Sequence, residues 1–227
     1  TLWTWWYGLQ NDEREKIRGL VAVALPGTVF TIAYETQDSA GTNIYAVYTR
    51  DIMPPPNSKV WFIDARFVAR MDVKPPQRTV HLPTYEEIVE KLWAAEGKRY
   101  VWWGSFAAGI PEMGYRYPYP STISEPIRQL RTLDGVDCSG LIYEATNGWT
   151  PRNTALLLNV GQWIAIEGKT PEQIAAILQP LDLIVWRGHT IIVLDNQNVI
   201  ESRHDYDLST PWPQGGVRIR PIITVLN

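Results

Sequence analysis

Two adjacent prolines, Pro75-Pro76, divide this chain into halves with opposite local patterns. Before them, short β-branched and aromatic runs occur at Leu20–Ala24, Thr28–Tyr34, Asn43–Thr49 and Lys59–Ile63. Turn signals separate these runs at Pro26-Gly27, Asp38–Gly41 and Pro54–Asn57. About five strands in so short a stretch predict a small all-β barrel. The prolines themselves favour extended backbone and read as a linker. Beyond them Thr84 and Glu87 form a capping box, in which hydroxyl and carboxylate satisfy each other's orphan amides, opening a helix that should stop at Gly97. Further helices are expected over about 139–147, over 152–164 with an interruption at Gly161, and from Thr170-Pro171. After Pro180 the pattern changes to strands at 182–186, 189–194, 198–203 and 217–225. Helices first and a run of neighbouring strands afterwards is the α+β order. The expected organisation is a β domain at 1–73, a linker at 74–83 and an α+β domain at 84–227.

Composition excludes several classes. A net charge of −3 provides no footprint for nucleic acid. Three histidines, at 81, 189 and 204, and a single cysteine do not make a zinc cluster, and neither metal nor organic cofactor is expected. The charge-free stretch Leu20–Tyr34 is broken by Pro26-Gly27 and too short to span a membrane. No secretory leader is visible, and composition leaves the compartment and oligomeric state open. Most of the eleven tryptophans are expected in core packing rather than in sugar stacking.

The lone cysteine lies in Gly135-Val136-Asp137-Cys138-Ser139-Gly140-Leu141, at the start of an apolar helical run. The free N–H groups and dipole of a helix N-terminus favour thiolate, and the same amides can receive an oxyanion. A lone cysteine is otherwise a small buried hydrophobe. Fifty-one residues downstream His189 follows Gly188 at a predicted strand start, and a lone histidine is usually a surface or satisfied core residue.

Three blocks in this order resemble the NlpC/P60 family of cell-wall cysteine peptidases: Tyr100-Val-Trp-Trp-Gly104, Asp137-Cys138-Ser139-Gly140-Leu141, and Asp182-Leu through Gly188-His189. The likeness covers roughly residues 85–205. It implies a papain-like α+β domain, and the preceding β unit resembles the bacterial SH3-like domains often joined to it. By this resemblance Cys138 is the nucleophile and His189 the catalytic histidine. The third member falls at Glu201, where the family usually has a histidine or another polar residue, and Tyr100 lies near the oxyanion. A glutamate can orient an imidazole as an aspartate does in serine triads. Strand alternation leaves His204 as the competing third member, and Glu201 is preferred.

Asp137 and Ser139 match the pair that holds the free amine of a short peptide, though an aspartate before a helix is also an ordinary cap. Its charge opposes thiolate formation. Pro151-Arg152-Asn153-Thr154 resembles a step lining the same cleft, or else Asn153 and Thr154 simply open a helix. Trp103 departs from the pattern by standing where a glycine is usual. Residues 106–134 are a longer insertion than the family norm, readable as a cleft edge that shapes specificity or as a loop packed on the barrel.

The activity implied is hydrolysis of an amide in peptidoglycan stem peptides, at the bond between D-glutamate and a diamino acid. The implied partner is peptidoglycan or a muropeptide, and the implied location the cell envelope or the outside rather than the cytoplasm. Acyl transfer or amidase chemistry on the same scaffold, and non-catalytic binding of wall peptides, remain alternatives.

Overall fold

A computed structural model describes residues 22–51, 59–78, 81–119, 121–205 and 214–227. The strands are β1 Thr31–Gln37, β2 Asn43–Tyr48, β3 Trp61–Asp64, β4 Ser105–Phe106, β5 Gly135–Val136, β6 Leu183–Trp186, β7 His189–Val193, β8 Asn198–Asp205 and β9 Gln214–Pro221. The helices are α1 Tyr85–Ala94, α2 Glu112–Arg116, α3 Glu125–Arg131, α4 Cys138–Ala145, α5 Thr154–Leu157, α6 Pro171–Ala175 and α7 Ile222–Leu226, with one 3₁₀ turn at Ala65–Phe67. The protein is thus mixed α and β with small antiparallel sheets. It divides into two compact units, residues 1–80 with 111–122, and residues 81–110 with 123–227.

In the first unit β1, β2 and β3 form an antiparallel sheet in that order. Asp38 closes the β1–β2 turn by accepting the backbone N–H groups of Ala40 and Thr42 at 2.9 and 2.8 Å. Ile44, Ala46 and Val47 of the central strand are buried. Among the described residues the sheet is open, so the expected closed barrel is not present. Of the predicted strand at Leu20–Ala24, the first two residues lie outside the described ones. Val23 is buried without strand pairing. An apolar run reports burial, and burial does not require a ladder. The insertion is divided: α2 and its flanks group with this first unit. There the Tyr117 ring stacks on Phe67 and its hydroxyl donates to the buried Asp64 at 2.5 Å.

The second unit is organised around α4. Seven of its eight residues are buried, which suits a helix apolar on every side. It packs with Ile88 and Leu92 of α1 on one face of the β6-β7-β8-β9 sheet, against Ile192, Leu194, Ile200 and Val217. The opposite face carries Ile191, Val193 and Val199, covered by Leu178, Ile222 and the α6 residue Ile174. The capping box predicted at Thr84/Glu87 forms, and Thr170 and Gln173 make a second one at the start of α6.

Two elements differ from expectation. The helix predicted over 152–164 is the single turn α5, after which Gly161 takes φ +72° and the chain runs exposed to Thr170. The strand predicted over 217–225 ends at Pro221, which cannot donate to a ladder, and the β-branched run after it forms α7, burying Ile222.

Candidate active site

Cys138 is the first residue of α4, and Asp137 caps it by accepting the Gly140 N–H at 2.7 Å. Close backbone approach fixes this start in place. A Cβ on Gly140 would stand 2.0 Å from the Gly104 carbonyl oxygen, and one on Gly104 would stand 2.2 Å from that of Gly135. Glycine is therefore required where the Trp103-Gly104 segment crosses the helix. Trp103 itself takes φ +62°, a left-handed conformation costing about 1–2 kcal/mol for a residue with a Cβ. Its N–H donates to Asp137 Oδ2 at 3.0 Å, and its ring lies 5.3 Å from the Arg152 guanidinium, two contacts that offset that cost.

Arg152, expected within the step that lines the cleft, is buried and joins all of these pieces. Nε donates to Ser105 Oγ, Nη1 to Asp137 Oδ1 and Ser139 Oγ, and Nη2 to Asp137 Oδ2 and the Gly104 carbonyl, all within 3.0 Å. Every guanidinium hydrogen has an acceptor, the condition under which a buried charge is tolerated. Asp137 and Ser139, expected to hold a peptide amine, are both buried and both engaged by this arginine. In this fold they anchor the N-terminus of α4.

The sulfur faces the start of β7. The Cys138 thiol points to the Gly188 carbonyl at 3.9 Å, and the Thr190 backbone N–H approaches the sulfur. It thus touches the backbone on both sides of His189. Burial, and then the Asp137 carboxylate, push the thiol up to about 12. Desolvation and the cap's own charge thus outweigh the helix amides, which act to favour the thiolate.

His189 begins β7 directly after a two-residue turn, Arg187-Gly188, in which Gly188 takes φ +104°. Thr154, at the start of α5, accepts the Gly188 N–H at 3.0 Å and so holds the turn. Asn153 is the helix cap, accepting the Leu156 N–H. The Trp186 ring, across the turn and half exposed, meets the imidazole edge-on with centroids 5.1 Å apart.

Strand register decides between the two candidate third members. Ile192 pairs with Ile200, which puts Glu201 on the same sheet face as His189, and His204 on the other. Glu201 Oε2 lies 2.6 Å from His189 Nε2, whereas the His204 ring packs edge-on against Tyr100 at 5.3 Å. Tyr100 is joined to Gly215 and Val136 by backbone pairing, and its ring contact is with His204. Burial acts to raise the Glu201 pKa, but hydrogen bonds from His189 and Arg220 hold it below the ordinary carboxylate range. An ionised carboxylate only accepts, so it fixes the imidazole tautomer with hydrogen on Nε2 and leaves the Nδ1 lone pair available as a base.

Among the described residues no group of His, Cys, Asp and Glu is placed to hold a metal ion, and no helix is long and apolar enough to cross a membrane. Comparison with protein-family models, with curated proteins and with solved structures finds no match to this chain.

Proposed function

We propose that this protein is a cysteine peptidase acting on peptidoglycan stem peptides, cleaving the amide between D-glutamate and a diamino acid. On this reading the second unit is a papain-like domain of the NlpC/P60 type, the first is SH3-like, and the protein works in the cell envelope or outside the cell. The observation that carries the catalytic part is the convergence of three elements. The α4 thiol lies against the peptide groups flanking His189, while the β8 carboxylate of Glu201 bonds Nε2 of that imidazole.

The buried thiol enters the reaction protonated, so its proton passes to His189 as the sulfur attacks, rather than beforehand. The carbonyl carbon becomes tetrahedral, and its oxyanion is received by N–H groups in the first turn of α4, with Tyr100 as a further donor. The imidazolium, stabilised by Glu201, returns the proton to the leaving amine, and water then hydrolyses the thioester. The specific bond rests on the motif resemblance alone.

The thiol's burial favours a second reading, in which the domain binds wall peptides without cleaving them. A panel of defined muropeptides and acyl esters separates the possibilities. Release of the diamino-acid fragment, lost in Cys138→Ala, is the expected result. Turnover of esters alone would replace the peptidase by an acyl transferase or esterase. If no substrate turns over and Cys138 alkylates no faster than a free thiol, the binding reading stands instead.

A further inference from the structure

We propose that Arg220 is a positioning residue of the site, sharing the charge of Glu201 so that the carboxylate orients His189 without trapping it as imidazolium. The proposal rests on the catalytic reading above and deepens it. Glu201 uses both oxygens: Oε2 meets His189 Nε2 at 2.6 Å, and Oε1 accepts from Arg220 Nη1 at 2.9 Å. The Glu201 side chain is 3 % exposed and that of Arg220 34 %, so the arginine screens an otherwise buried anion from its solvent side.

The geometry follows from the sheet. Glu201 pairs with Arg218 and Val199 with Arg220, so positions 199, 201, 218 and 220 share the face that carries His189. Other charges on this face are accounted for. Arg218 turns to Asp205 at 2.8 Å, and Arg203 lies outward on β8. The β6–β7 turn contributes the exposed Arg187, and α6, which covers the face further along, brings Glu172. Cys138 and the closed Asp137–Arg152 pair lie at the start of α4, which packs on the opposite face of the sheet. Among the described residues only Arg220 reaches the carboxylate oxygen that His189 leaves.

The chemical consequence has a definite sign. A carboxylate bonded to imidazole with no second partner would hold the ring strongly as imidazolium, and a protonated ring cannot take the thiol's proton. A guanidinium on the other oxygen weakens that hold while keeping the carboxylate ionised and its rotamer fixed. Removing Arg220 therefore favours both imidazolium and protonated Glu201, and each raises the pH needed to reach the working state.

The test is the pH dependence of Cys138 alkylation by iodoacetamide in the intact protein, read beside muropeptide hydrolysis. In R220Q the acidic inflection should move up by roughly half to one pH unit, while R220K keeps it near the wild-type position. A superimposable R220Q profile, or an R220K profile displaced as far as that of R220Q, overturns the proposal. E201Q/R220Q compared with E201Q should show one and the same inflection, and a further shift in the double variant overturns it too. That comparison serves equally if R220Q does not fold. If no peptide is hydrolysed but the alkylation inflection still moves with Arg220, the peptidase reading fails and this one holds. If hydrolysis proceeds and the inflection ignores Arg220, the reverse is true.

Discussion

Arg152 and Glu201 are both buried ions, but their surroundings give them different consequences when changed. All five Arg152 donors are used on partners that fix the backbone around Cys138. Arg152→Met removes the charge and strands the buried Asp137 carboxylate, which should cost about 3–5 kcal/mol in chemical denaturation. Arg152→Lys should recover little of this, since an ammonium cannot reproduce the fork that spans Asp137, Ser105 and Gly104. A loss under about 1 kcal/mol for Arg152→Met would mean that the network contributes little to stability. Glu201→Gln should act on the reaction instead. The amide still occupies the space beside Nε2 but can no longer stabilise imidazolium, so turnover should fall by about two to four powers of ten. The melting temperature should shift little beside that of the arginine variants. Equal losses of stability and activity would mark Glu201 as structural.

At the scale of elements, what pattern could foresee was whatever local chemistry decides. The capping box of Thr84 and Glu87 depends on residues three apart, and it forms. The pairing of His189 with Glu201 follows from a short turn and the two-residue strand period. Pattern failed where distant partners decide. The single turn α5 is too short to propagate, and its role is tertiary, since Thr154 holds the Gly188 N–H of a turn 34 residues on. Arg220 carried no signal beyond an arginine in an alternating strand, a pattern that usually means a solvated face. Arg152 stood only in a step expected to line the cleft, with no sign of the buried network it holds. This assigns a purpose to Thr154 that can be measured. Thr154→Val keeps the shape of the side chain but removes the acceptor, leaving Gly188 free to move with His189 attached. Alkylation of Cys138 and peptide turnover should both decline several-fold, with a stability loss of about 1 kcal/mol. Undiminished reactivity would show that the turn is rigid without α5.

For the whole molecule, the division into units does not follow the order of the chain, because Pro111–Thr122 belongs with the N-terminal sheet although it interrupts the sequence of the other unit. That segment contributes to the electrostatics of its unit through Tyr117. Burial acts to raise the Asp64 pKa, yet hydrogen bonds from Arg66 and Tyr117 hold it below the ordinary carboxylate range. A carboxylate lowered in the folded state contributes stability that is complete above its unfolded pKa of about 3.9 and is lost as pH falls through the folded value. Tyr117→Phe removes one of the donors and keeps the ring that stacks on Phe67. The N-terminal unit should therefore lose about 1.5–3 kcal/mol at neutral pH, the usual contribution of a hydrogen bond to a charged acceptor. Its acid transition should also begin nearer pH 4, because the Asp64 carboxyl climbs back toward its ordinary value. Hydrogen exchange of the β2 and β3 amides, followed from pH 7 to pH 3, reads both effects. Cys138 alkylation serves as the control, because Tyr117 lies in the other unit. If protection in β2 and β3 were unchanged at every pH, the Tyr117–Asp64 bond would contribute nothing to that unit. The inserted segment would then be held there by the stacking of Tyr117 on Phe67 and the guanidinium of Arg66 over its ring.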